Sequence, residues 1–96
     1  MRLEGRNEKR VAMAVPVCLV AAEKQNVVEQ AMTVNVSSQG ARIATRRRWQ
    51  PEEESSLALG SGEIRVQAKV VYCETLADGR FCVGLRFSSA NMEWKP

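Results

Sequence analysis

Apolar and polar positions alternate with a period of two along most of the chain. Val11, Met13, Val15, Val17 and Leu19 alternate with the smaller Ala12, Ala14, Pro16 and Cys18. Val28, Met32, Val34 and Val36 alternate with Glu29, Ala31, Thr33 and Asn35, with Gln30 as a polar interruption. Ile64, Val66, Ala68, Val70 and Tyr72 alternate with Arg65, Gln67, Lys69, Val71 and Cys73. Phe81, Val83, Leu85 and Phe87 alternate with Arg80, Cys82, Gly84 and Arg86. In an extended strand successive side chains point to opposite faces, so each run predicts a strand with its first-named set buried. Shorter strands fit residues 41–45 and 56–59.

The interruptions carry turn chemistry at 23–26, 37–40, 50–55 and 60–62, and at Asp78-Gly79. Asp-Gly between two alternating runs is a strong hairpin signal. Six strands with short connections in 96 residues predict an all-β fold, a small closed or partly closed barrel. The barrel is expected over 11–88. Residues 1–10 read as a flexible, polar amino-terminal arm. Residues 89–96 leave room for at most a short helical turn, with Met92 and Trp94 packed down.

Composition narrows the function. No apolar run approaches the ~20 residues of a membrane span. Residues 11–22 follow a basic start as a secretory leader would, but Val recurs there at 11, 15, 17 and 20, which favours a strand. Cys18, Cys73 and Cys82 are odd in number and widely spaced, which is no disulfide framework, and reduced thiols point to the cytoplasm. The chain has no histidine. That removes Ser/His and Cys/His nucleophile pairs and most transition-metal sites, so neither an enzyme nor a metal cofactor is expected. The net charge of +3 leaves room for an anionic ligand.

Two short patterns carry candidate chemistry. Arg6 and Arg10 are spaced so that both guanidinium groups can face one ligand, and such forks suit phosphate oxygens and the O6/N7 edge of guanine. Ten arginines in the chain give about one such pair by chance, and Arg42 with Arg46 makes a second, expected to be incidental. Asn35, Ser37 and Gly40 form the rarer pattern, with about 0.02 chance occurrences. Val34 and Val36 are assigned to the buried face, so Asn35 and Ser37 are expected together on the outside of the barrel. Gly40 would allow positive φ and a close backbone approach.

Together, Arg6-x-x-x-Arg10, Asn35-x-Ser37-x-x-Gly40 and the strand Val83-Gly84-Leu85-Arg86-Phe87 resemble the PilZ domain, the bacterial receptor for cyclic di-GMP. The resemblance spans roughly residues 5–88. It implies a small six-stranded antiparallel β-barrel of the split-barrel type that binds cyclic di-GMP on its outer surface, with the arm folding over the ligand. Arg6 and Arg10 would then contact phosphate and guanine, and Asn35 and Ser37 the guanine and neighbouring polar groups. Gly5 stands where some members carry another Arg, which leaves one ligand or a stacked pair open. The short tail departs from members that close the barrel with a carboxy-terminal helix. The resemblance implies a second-messenger receptor that signals through a partner protein. The alternative is a PilZ-like adaptor that binds no nucleotide. A single-stranded nucleic-acid barrel would need exposed aromatic platforms, for which Trp49 and Trp94 are the candidates, and no DNA or RNA partner is expected. The remaining readings are ordinary ones: Tyr72, Phe81 and Phe87 in the core, Cys73 and Cys82 facing outward, and Arg46, Arg47 and Arg48 paired with Glu52, Glu53 and Glu54 in a solvated loop.

Overall fold

The computed structural model describes residues 9–24, 27–59, 64–88, 92 and 94. Arg6, most of the expected arm and the 60–62 turn lie outside them. Seven strands form: β1 (Val11–Ala12), β2 (Pro16–Ala21), β3 (Val28–Ser37), β4 (Gly40–Thr45), β5 (Glu54–Leu59), β6 (Ile64–Thr75) and β7 (Phe81–Phe87). All pairings are antiparallel. The sheet runs β3-β2-β5-β6-β7-β4 and closes by pairing β4 with β3, a six-stranded barrel in which β1 pairs with β3 on the edge it shares with β2, opposite β4. No helix forms among the described residues, and none is long and apolar enough to cross a membrane.

The expected first strand, 11–19, is broken in two. Between β1 and β2, Thr33 reaches across from β3. Its hydroxyl donates to the Met13 carbonyl at 2.5 Å and accepts from the Val15 amide at 2.7 Å. Thr33 is buried, and these bonds remove the cost of an unpaired buried hydroxyl.

The facing of β3 is the reverse of the expectation over its first half. Val28, Met32 and Val34 are 53%, 45% and 46% exposed, and Thr33 is 3% exposed. Two inward polar groups explain this. Thr33 ties down the strand break, and Glu29 gathers the loop after β4. The Glu29 carboxylate accepts from the Arg46 amide at 2.5 Å and from Trp49 Nε1 at 3.1 Å. Trp49 is thereby sealed in the core at 0% exposure, so it is no stacking platform.

Beyond Thr33 the facing changes. The ladder to β4 pairs Thr33 with Ile43 but Asn35 with Arg42, so Val34 is an extra, bulged residue. A bulge shifts the two-residue period by one. Val36 therefore turns into the core at 2% exposure while Val34 stays outside. β6 repeats the device. Val70 pairs with Leu85 but Tyr72 with Gly84, leaving Val71 as the inserted residue. Tyr72 leaves the core side expected for it and Cys73 joins the core contacts instead. Ile64, assigned to the buried face, is 54% exposed.

Leu19, Ile43, Leu57, Val66, Val70, Val83 and Leu85 fill the interior. Burying each apolar side chain is worth about 1.5–3 kcal/mol. The Asp78-Gly79 hairpin forms as expected, with Gly79 at φ 91°. The Asp78 carboxylate accepts from the Arg80 amide at 3.0 Å and from Arg80 Nε at 2.9 Å. These two bonds hold its pKa below the ordinary carboxylate range.

Candidate ligand-binding site

The two bulges put one continuous row of residues on the outer face. Cross-strand partners run Asn35 to Arg42, Arg42 to Gly84, and Gly84 to Tyr72, across β3, β4, β7 and β6. Without the Val34 insertion Asn35 would share the inward face of Thr33. Without the Val71 insertion Tyr72 would share that of Val70. The row exists because both strands change phase at matching heights in the barrel.

Arg10 joins the row from the residue before β1. Its Nη1 donates to Asn35 Oδ1 at 3.1 Å. Two of the candidate residues are therefore in direct contact. Arg42, whose spacing to Arg46 is expected to be incidental, also stands in the row. Its Nε donates to the Tyr72 hydroxyl at 2.5 Å, and its guanidinium carbon lies 5.7 Å from that ring's centroid. The Tyr72 hydrogen bond, followed by the Tyr72 charge interaction, raises the already high pKa of Arg42. The Tyr72 ring lies against Gly84, where a Cβ would overlap it. Gly84 is thus a seat for an aromatic ring, a role visible only once β6 has changed phase.

Ser37 is less open than expected. It pairs with Gly40 on the outer side of β3, but it is 3% exposed. Its hydroxyl accepts from the Gln39 amide at 3.3 Å and donates to the Gly40 carbonyl at 3.4 Å. In this arrangement Ser37 shapes the turn. Gly40 has no positive φ, contrary to one of the two reasons given for it. The other reason holds. A Cβ on Gly40 would collide with the Leu85 carbonyl oxygen, so β4 and β7 can meet here only through glycine.

A shallow depression of about 90 Å³ lies at the Gly84 and Tyr72 end of this row, lined also by Arg10, Gly40 and Arg86. That is far below the ~300 Å³ of a pocket that encloses a small molecule, so a ligand here lies on the surface. A roomier groove of about 390 Å³ runs between β2 and β3. Pro16, Val17, Cys18, Gln30, Ala31 and Met32 line it without a charged group. It has volume but nothing to hold an anion, so the chemistry favours the smaller site.

Cys82 lies at the edge of the row, opposite Glu74 on β6 and Ala44 on β4. It keeps the outward parity of Gly84 but is covered, and burial pushes its thiol pKa up against the opposing pull of Arg42. All three cysteines are free. In the loop after β4, Arg47 pairs with Glu53 at 3.4 Å as the charge pattern implied, and it also stacks on Trp49.

The chain is a closed antiparallel barrel with an outward Asn and Arg row beside a glycine-dependent turn. The sequence matches the PilZ domain over residues 4–93, and the chain belongs to that family. Among solved structures it is similar to the Bacillus subtilis inhibitor of motility MotI/DgrA, with a TM-score of 0.74 at 16% identity. The match covers 94% of this chain and 46% of that one, so this chain spans about half the length of that protein. A comparison with curated proteins returned no match.

Proposed function

We propose that this domain is a receptor for cyclic di-GMP and that it passes the signal to a partner protein. The observation that carries the reading is the outward row from Asn35 to Tyr72, with Arg10 already bonded to Asn35. Asn35 offers a donor and an acceptor, the combination needed to read a base edge. Arg10, Arg42 and Arg86 bring three positive charges to a face that a doubly charged ligand would cover. Arg6, in the expected arm, would add a fourth. Ser37 and Gly40 contribute through the turn that fixes the end of the row.

No step of this function needs catalysis or a cofactor. Ligand binding would order the arm and alter the surface shown to a partner. The exposed Val28, Met32 and Val34 around the β2–β3 groove supply an apolar outer face of the kind that proteins contact. That face also favours the second reading, an adaptor that binds protein but no nucleotide. The similar solved structure offers motility as an example of an output.

Calorimetric titration of the full chain decides between the two readings. Cyclic di-GMP is expected to bind saturably, while GTP and a short single-stranded oligonucleotide bind at least tenfold more weakly. No heat with cyclic di-GMP, from a protein that melts cooperatively, would leave the adaptor reading.

A further inference from the structure

The turn between β3 and β4 is held by groups from the far end of the chain. Trp94 Nε1 donates to the Ser37 carbonyl at 2.6 Å. The Met92 amide donates to the Ser38 carbonyl at 2.7 Å. The Phe87 amide, at the end of β7, donates to the Gln39 carbonyl at 2.8 Å. Three consecutive turn carbonyls are thus each engaged by a donor about fifty residues or more away. The Trp94 ring is itself fixed against Phe87, with centroids 6.1 Å apart at 33°. Met92 is 6% exposed and belongs to the core cluster.

A two-residue surface turn ordinarily gives its carbonyls to water and opens readily. Here it is fastened, and it is the turn that carries Ser37 and Gly40 at the end of the candidate row. We infer that Trp94 is a positioning residue for the nucleotide site: by holding the Ser37 carbonyl it keeps the turn in its binding geometry, so that tail docking and ligand binding favour each other. The inference rests on the cyclic di-GMP reading. Its physical basis is pre-organisation, since a turn already held in place loses less freedom when ligand arrives. Coupling of this kind is reciprocal, so ligand tightens the tail by the factor with which the tail tightens ligand.

The test compares two tryptophans that each donate one indole hydrogen bond. Trp94→Phe keeps an aromatic ring beside Phe87 and removes the donor to the turn. Trp49→Phe removes the equivalent donor to Glu29, which sits 3.1 Å from Trp49 in the loop after β4. Wild type and both full-length variants are titrated with cyclic di-GMP by calorimetry and melted in parallel. Trp94→Phe is expected to bind about tenfold more weakly, the size of one lost hydrogen bond, with a melting temperature no lower than that of Trp49→Phe. Trp49→Phe is expected to melt lower than wild type and bind as wild type does. Wild-type affinity in Trp94→Phe would overturn the inference alone. So would equal affinity losses in both variants that track their melting temperatures. Absence of binding by the wild type would overturn the cyclic di-GMP reading and this inference with it.

Discussion

Arg42→Ala is expected to weaken cyclic di-GMP binding by about ten- to a hundredfold, the effect of losing a charge-assisted contact of about 1.5–3 kcal/mol. Arg42 is exposed, so its loss should change stability by no more than about 0.5 kcal/mol. Its place in the row does not depend on a match to a spacing rule. It lies between Asn35 and Gly84 by strand register, and Tyr72 orients it through a 2.5 Å hydrogen bond. Tyr72→Phe tests the orientation separately, since it removes the hydroxyl and leaves the ring on Gly84. It should weaken binding less than Arg42→Ala, and the double variant should lose less than the two single losses added together. Titration of the three variants checks this. Arg42→Ala that binds as wild type would take β4 out of the site.

The second large effect is on stability. Gly40→Ala is expected to cost about 1–3 kcal/mol, as overpacking at a rigid contact does. The added methyl would meet the Leu85 carbonyl oxygen, and backbone cannot swing aside as a side chain can. β4 and β7 would have to part where Gly40 pairs with Arg86. For a domain of this size each kcal/mol lowers Tm by about 4–8 °C. At Gly84 the atoms nearest the same methyl belong to the Tyr72 ring, a side chain rather than backbone. A thermal melt of Gly40→Ala that overlays the wild type would show that the strands can separate without penalty.

The strands and the closed barrel were legible because period-two alternation and turn residues are local signals. β7 and the Asp78-Gly79 hairpin came out as read. What the alternation hid was its own change of phase. Val34 and Val71 are apolar, β-branched residues, so an inserted copy of either looks like regular strand. The inward set of β3 was also concealed. Glu29 and Thr33 look like solvent-facing residues, and their partners lie in the 46–49 loop and at residues 13 and 15, too far along the chain for a local pattern to reveal.

The candidate site was half legible for the same reason. Asn35 was placed outside correctly, but by an argument that put Val34 in the core, where it does not sit. Arg42 and Tyr72 were missed because only register across four strands brings them together. One signal could have found Tyr72: Gly84 interrupts an otherwise well-filled strand, and glycine within a strand marks a close approach by another group. Ser37 and Gly40 belong to the motif, yet their visible duties are turn closure and strand approach.

The central claim is that the outer row recognises a base as well as attracting a charge. The direct test is affinity for cyclic di-GMP against ionic strength for wild type, Asn35→Ala and Arg10→Ala, with melting temperatures alongside. Asn35 is neutral, so its loss should lower affinity by a similar factor at every salt concentration, leaving the salt dependence parallel to the wild type. Arg10 carries a charge that salt screens, so Arg10→Ala should flatten the dependence. An Asn35→Ala protein that melts normally and binds like the wild type at all salt concentrations would contradict base recognition by the row.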